Sequence, residues 1–178
     1  MRLPALAVGL SLAALLCATG AGAGCPDLPP PGQGLSVLRY DVTRGDGPRT
    51  PPLLEIDSDG AVAVRLGEEV RRGAMTRAAL AELLDTMVRD EALPEIDTAA
   101  LDTALSTPLP DARGGMVVGA VADASTSHLV LELPGCRHSV AVQGSALRSR
   151  MRPDLGPLQR FRRIELRLHE IIAPLQQG

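Results

Sequence analysis

The fold is decided by residues 53–66, which read LLEIDSDGAVAVRL. Two runs of alternating apolar residues flank a turn sequence, a pattern that is typical of a β-hairpin. A two-residue turn would place acids on the apolar face of this hairpin. A three-residue turn at 58–60 instead pairs Ile56 with Val62, and one face is then wholly apolar. Because the apolar pattern sets the register, we predict the second pairing, with Gly60 in the left-handed conformation that such loops require.

Strand signals also occur on both sides of this hairpin. Residues 35–42 alternate apolar and polar side chains, and residues 116–122 form a shorter apolar run. Residues 127–142 predict a second hairpin around a Pro-Gly type II turn, which places Glu132 opposite Arg137. Opposite charges across neighbouring strands stabilise such a pair.

Helix signals separate the strands and close the chain. Thr76 is the predicted N-cap of a helix that ends at Pro94, and Asp97 is the N-cap of a short second helix. A terminal amphipathic helix should begin near Pro157 and end at Pro174. The order of strands, helix, strands and helix predicts an α+β fold, in which helices pack on one face of an antiparallel sheet of two or more hairpins.

The N-terminal residues predict export. A basic start precedes an apolar run at 5–18, and small residues at 21–23 fit a signal-peptidase site, so we predict cleavage after Ala23. The run is shorter than the roughly 20 residues of a membrane-spanning helix, and charges break the later apolar runs. We therefore predict a signal peptide at 1–23, a Pro/Gly-rich spacer at 24–34 and a single domain at 35–178. The mature chain would have no transmembrane segment and would be periplasmic or extracellular.

Two cysteines remain after the predicted cleavage, Cys25 and Cys136. An even number of thiols in an oxidising compartment predicts a disulfide between them. The competing fate for Cys25 is lipidation, because Ala23 and Gly24 suit a lipoprotein signal. Gly22, however, stands where that signal usually carries leucine.

The composition narrows the classes of partner. The formal net charge is −3, all 18 basic residues are arginine, and Tyr40 and Phe161 are the only aromatic residues. A mildly acidic chain with so few aromatic rings is unlike a nucleic-acid-binding module. Residues 55–111 are strongly acidic, whereas residues 148–170 are basic. The basic stretch either faces an anionic partner such as lipid headgroups or complements the acidic half of its own domain, and we favour the second interpretation.

The histidines do not form a recognisable metal or cofactor site. His169 begins an H-E-x-x-H pattern, but Ala173 occupies the position of the second ligand. We expect His169 to lie near a helix C-terminus, where a partial positive charge is favourable. In the predicted hairpin register, His128 and His138 point to opposite faces of the sheet. We therefore predict no bound metal and no cofactor.

Four stretches together resemble a family of exported bacterial α+β domains that has no assigned activity. The resemblance is carried by Pro52–Ile56 with Asp59–Gly60, Met75–Leu80, Val121–Ser127 and the terminal helix, and it covers residues 35–173. It implies the same order of strands and helices and no catalytic residues.

We therefore predict a non-enzymatic exported domain that binds a protein or envelope partner or serves the envelope structurally. One alternative is a hydrolase whose site combines scattered acids with histidines, such as the acid pairs Asp57/Asp59 or Asp90/Glu91. A cluster of acids converging on His128 or His138 would favour this enzyme. The other alternative is an envelope lipoprotein that is anchored through Cys25.

Overall fold

A computed structural model describes Cys25 and residues 28–45, 47–110, 116–117 and 123–177. Its main feature is a six-stranded antiparallel sheet, whose strands are β1 Ser36–Thr43, β2 Leu54–Asp57, β3 Ala61–Leu66, β4 Glu69–Ala74, β7 Thr126–Leu133 and β8 Cys136–Gln143. The order of these strands across the sheet is β4-β3-β2-β1-β7-β8. A separate small ladder joins β5 Leu109–Pro110 to β6 Met116–Val117, and β6 lies at the start of the apolar run 116–122 that signalled a strand. The predicted signal peptide and most of the strand predicted at 116–122 lie outside the described residues.

The helices occupy the connections after β4 and β8. They are α1 Arg77–Asp85, α2 Thr98–Ser106, α3 Ser145–Met151 and α4 Gly156–Gln177. A π-helical turn, Thr86–Asp90, and a 3-10 turn, Leu93–Glu95, follow α1. The predicted α+β class with helices against an antiparallel sheet is confirmed. None of the helices in the described part of the chain is long and apolar enough to cross a bilayer.

The first hairpin has the register that the apolar pattern predicted. Ile56 lies opposite Val62 across β2 and β3, and the three-residue turn between the strands contains Gly60 with φ +89°. A Cβ atom at Gly60 would collide with the carbonyl oxygen of Met75. Glycine is therefore required here both by the backbone conformation and by the close approach of the residue that follows β4.

The second hairpin and the helix caps are also confirmed. Glu132 lies opposite Arg137 in the β7–β8 pair, as the Pro-Gly turn requires. The Thr76 hydroxyl accepts the Ala79 N–H at 3.1 Å at the start of α1. The Asp97 carboxylate caps α2 in the same way. The hairpin register and the helix caps were predictable because each depends on residues that are close in sequence.

The core lies between one face of the sheet, called here the inner face, and the helices. Tyr40 and Phe161, the only aromatic residues, are both fully buried there. The other core residues are aliphatic apart from Met87, and α4 contributes the set Leu158, Phe161, Ile164, Leu168 and Ile172. An aliphatic core of this extent explains how a chain with almost no aromatic residues folds.

Four local features differ from the sequence prediction. The first helix, with its π-helical turn, ends at Asp90, and Pro94 lies inside the 3-10 turn instead of ending the helix. Strand β4 was missed because its sequence, EVRRGA, has a single large apolar residue, and α3 was missed because its seven residues, SALRSRM, are too few to show a helical period. Pro174 does not end the terminal helix, which continues to Gln177. Leu175 packs over Gly73, and the Arg71 guanidinium donates to the Leu175 carbonyl oxygen at 3.0 Å. These contacts with β4 hold the last turn despite the one helical hydrogen bond that proline removes.

The predicted spacer is packed against the domain. Cys25 and residues 28–34, called here the N-terminal strap, run beside the first hairpin turn and the start of α1. Pro29 is buried, and Leu28 packs against the core. Cys25 and Cys136 are placed as a disulfide pair with their Cα atoms 5.2 Å apart. The proline-rich composition suits this role as well, because proline fixes the backbone in an extended form.

Candidate functional site

The face of the sheet opposite the core, called here the outer face, carries the most concentrated polar chemistry. Arg39 donates to Glu132 at 2.8 Å, and both side chains remain substantially exposed. Arg137 lies opposite Glu132, and Glu55 lies opposite Arg39. Alternating charges therefore run across four neighbouring strands. Such cross-strand pairs stabilise a sheet surface that has to meet water.

Asp41 is the buried anion of the outer face, with an exposed fraction of 1%. Its Oδ1 accepts the N–H groups of Val42 and Leu53 at 3.0 and 3.2 Å and a guanidinium N–H of Arg65 at 2.9 Å. Its Oδ2 accepts the Arg49 N–H at 2.6 Å. Asp41 thus ties the loop between β1 and β2 to the sheet, because both of its oxygens are engaged by groups of that loop and its flanks.

His128 and Thr43 form the second element of the outer face. His128 lies opposite Asp41 in the β1–β7 pair, and its Nε2 is 3.1 Å from the Thr43 hydroxyl oxygen. Burial lowers the pKa of His128 below the usual histidine value of 6.5, and the charge of Asp41 partly opposes this. His128 is therefore neutral at pH 7, and one ring nitrogen is able to accept a proton.

These elements surround a pocket of about 380 Å³. Its polar lining includes Arg39, Arg49, Glu55, His128 and Arg137, and prolines of the β1–β2 loop form one wall. Its volume is within the range that holds a small ligand or one side chain of a larger partner. We call it the outer-face pocket.

The alternation of residues 35–42 puts Arg39 and Asp41 on the same strand face, but it does not identify a site there. Apart from the adjacent Val42, the partners of Asp41 are 8, 12 and 24 residues away in the chain. The only sequence signal was that residues 39 and 41 alternate with apolar residues along the strand, which places their charges on the face away from the core. No local sequence pattern indicates that the loop between β1 and β2 folds back onto Asp41.

A second polar cluster lies under α4 on the inner face. The Tyr40 hydroxyl is 3.2 Å from Glu165 Oε1 and 3.3 Å from His169 Nε2. Glu165 is 1% exposed, and its other oxygen accepts from Arg162 at 3.1 Å. Burial, and then the charge of Glu165, raise the pKa of the Tyr40 phenol far above its usual value. Tyr40 and Glu165 are buried whereas His169 is exposed, and the hydrogen bonds among the three side chains satisfy the two buried groups.

The position of His169 corrects the prediction made for it. His169 lies well inside α4 rather than near its C-terminus, because the helix extends past Pro174. Its ring stands edge-on to Tyr40, with the ring centroids 5.7 Å apart. Its partner is therefore a phenol on the sheet and not the carbonyl end of the helix.

The two other histidines diverge as predicted. His138 shares the inner face with Leu131, and its Nε2 lies 3.1 Å from the carbonyl oxygen of Ile96. His128 belongs to the outer face. Within the ranges that the structure describes, no three histidine, cysteine or acidic side chains converge as metal ligands.

Three of the four acids considered for catalysis, Asp57, Asp59 and Glu91, have structural partners. Asp57 accepts the backbone N–H groups of Asp59 and Ala61, which closes the first hairpin turn. Asp59 accepts two N–H groups of the N-terminal strap. Glu91 receives a bidentate pair of hydrogen bonds from Arg163, at 2.8 and 2.7 Å. The contact between Glu91 and Arg163 supports the interpretation that the basic stretch complements the acidic half of the same domain.

Comparison with known proteins gives no relative for this arrangement. No protein-family model, no curated protein and no solved structure matches the chain. The resemblance to exported α+β domains stays a prediction.

Proposed function

We propose that this protein is an exported, non-enzymatic binding domain whose ligand surface is the outer-face pocket. The observation that carries the proposal is the contrast between the fully engaged carboxylate of Asp41 and the available guanidinium groups of the pocket. Both oxygens of Asp41 are engaged in holding the loop. Arg49 and Arg137 line the pocket, and neither has an acidic partner within 4.0 Å in the described part of the chain. This contrast suits recognition better than acid–base chemistry.

The ligand class that fits these groups is a carboxylate-bearing segment of a protein or envelope partner. A guanidinium group offers a planar pair of donors that matches a carboxylate. His128 adds a neutral ring, and Val130 adds an apolar patch at the same wall. A carboxylate side chain that is carried on a peptide would use both the charged and the apolar lining.

Export is part of the proposal and has two supports. The N-terminal apolar run followed by small residues is typical of a signal peptide. The pairing of Cys25 with Cys136 suits an oxidising compartment. Because the Cys25 sulfur is engaged in this pair, we leave lipid anchoring out of the proposal. The intact mass of native protein tests both points: we expect cleavage after Ala23, whereas a diacylglycerol mass on Cys25 would contradict the disulfide.

An NMR titration tests the binding site directly. The probes are glutarate and a capped peptide that alternates glutamate with valine. We expect amide shift changes at Arg39, His128 and Arg137, and at least about tenfold weaker binding in the double variant Arg49→Ala/Arg137→Ala, since charge-assisted pairs contribute roughly 1.5–3 kcal/mol.

The matched control for that titration is Arg150→Ala/Arg167→Ala, which removes two exposed arginines from α3 and α4 instead of from the outer face. The control should bind the probes as the unmodified protein does. Equal weakening in the control and in the pocket variant would show that binding follows net charge and would refute the pocket.

A hydrolase is the second candidate, because the Thr43 hydroxyl lies within hydrogen-bonding distance of His128. A hydroxyl beside a neutral imidazole is the start of a nucleophile–base pair. The third group of a triad would be Asp41, but its oxygens are occupied by the loop. A fluorophosphonate probe decides the matter: labelling that maps to Thr43 and is lost in His128→Gln would replace the binding proposal with the hydrolase.

A further inference from the structure

The N-terminal strap is held to the domain by one covalent tie and a few polar ties. Cys25 is bonded to Cys136 at the start of β8. The Asp59 carboxylate accepts the N–H groups of Gly32 and Gly34 at 2.7 and 2.9 Å, and both hydrogen bonds are exposed to water. Arg77 adds a hydrogen bond to the Pro29 carbonyl oxygen.

A groove of about 440 Å³ runs between this strap and α1. Cys25 and Leu28 line it from the side of the strap, and Ala81 lines it from the side of the helix. Leu84 and Leu133 also line the groove, although each is less than 10% exposed. The strap therefore stands at the edge of the apolar core, where its removal would enlarge the exposed apolar surface.

We propose that the strap is a redox-controlled cover of this groove. A dithiol oxidoreductase reduces the bond between Cys25 and Cys136, which yields two thiols on this chain and one disulfide on the reductant. Two electrons and two protons pass from the reductant to this chain. The freed strap then leaves α1 and exposes Leu84 and Leu133, while the sheet and α4 keep their packing. The proposal does not depend on the ligand of the outer-face pocket.

The position of the strap explains why it would open without unfolding the domain. The strap belongs to no strand of the six-stranded sheet. Its apolar contribution is small, since Cys25 and Leu28 are only partly buried and Pro29 is its one buried residue. Segments with few apolar contacts and exposed hydrogen bonds open locally at low free energy. After reduction, the exposed bonds to Asp59, the Arg77 contact and the limited packing of Leu28 and Pro29 would be all that holds it.

Hydrogen exchange of the full chain tests the cover, with and without dithiothreitol. On reduction we expect the amides of Gly32 and Gly34 to exchange at least about tenfold faster, as a locally opening segment does. The amides of Tyr40 and Leu131 in the central strands should keep their protection. Binding of the apolar dye ANS should rise in parallel.

Two variants sharpen this experiment. Cys25→Ser/Cys136→Ser should show the fast exchange without reductant; if it does not fold, wild-type protein reduced and alkylated at both thiols takes its place. Asp59→Asn weakens the polar ties alone and keeps the disulfide. Its oxidised form should therefore bind no more ANS than the oxidised wild-type protein does. The proposal is overturned if Gly32 and Gly34 exchange at the same rate after reduction, or if the central strands lose protection together with the strap.

Discussion

Replacement of Asp41 by asparagine should lower the free energy of unfolding by about 3–5 kcal/mol, the usual effect of removing one partner from a buried ion pair. The pair qualifies as buried, because the side chains of Asp41 and Arg65 are 1% and 13% exposed. Asparagine keeps the shape of the side chain and removes the charge that faces Arg65. The change therefore isolates electrostatics and hydrogen bonding from packing.

The hydrogen bonds of Asp41 predict a loss of unfolding free energy of similar magnitude. The asparagine that replaces Asp41 is best accommodated with its oxygen in the place of Oδ1, which accepts from Val42, Leu53 and Arg65. Its amide group then faces the Arg49 N–H, which is a donor opposite a donor. A buried donor that loses its acceptor costs roughly 1–3 kcal/mol, and the Arg65 guanidinium, which keeps a hydrogen bond but loses its counter-charge, adds to this.

The matched control is Arg39→Gln, which breaks the exposed Arg39–Glu132 pair on the same face. Its N···O distance is 2.8 Å, close to the 2.9 Å of Arg65–Asp41, but its side chains are 38% and 43% exposed. Exposed pairs contribute about 0–1 kcal/mol because water and salt screen them. The difference between the two variants should therefore reflect burial and not distance.

Urea unfolding at pH 7 with the disulfide intact measures both variants. For a domain of this size, the expected loss at Asp41 corresponds to a melting temperature lower by roughly 6–20 °C. A double-mutant cycle with Arg65→Met separates the pair from the loop contacts. If Asp41→Asn and Arg39→Gln cost equal amounts below about 1 kcal/mol, Asp41 does not anchor the loop and the reasoning fails.

Three further outcomes follow from local geometry. Gly60→Ala should destabilise by more than about 1 kcal/mol in urea, since φ is positive and the new methyl group meets the Met75 carbonyl; a neutral effect would contradict the turn. Because burial raises the pKa of Tyr40, the single tyrosine, its ionisation, followed by absorbance at 295 nm, should begin only well above pH 10. The free energy of unfolding should fall above about pH 10, because the unfolded chain releases the tyrosine proton first. NMR titration should give His128 a pKa below 6.5, and stability should fall as the pH drops below that value, because the unfolded chain binds the proton first.

Sequence patterns predicted those parts of the fold that depend on near neighbours. The pairing of Ile56 with Val62 and of Glu132 with Arg137 followed from alternation and turn chemistry within single hairpins. Thr76 and Asp97 were found because a cap and its acceptor lie within one helical turn. Each of these signals is complete within a few residues.

Features that depend on distant neighbours were not predictable in the same way. Strand β4 is specified by its partner β3, with Gly73 opposite Val62, and by Leu175 of the terminal helix over Gly73. The buried pair of Tyr40 and Glu165 joins residues 125 positions apart. Residue propensities and hydrophobic periodicity do not predict such contacts, because these contacts depend on tertiary packing.

The same distinction separates the residues that build the outer-face pocket from those that would bind in it. Asp41 and Arg65 are buried against each other, so their substitution should unfold the loop and lower stability whatever the ligand is. Arg137 is exposed at the end of a cross-strand pair, so its removal should change stability by less than about 0.5 kcal/mol. A binding defect that appears in Arg137→Ala without a change in unfolding therefore reports on recognition itself. A binding defect in Asp41→Asn would instead reflect destabilisation of the loop that positions Arg49 in the pocket.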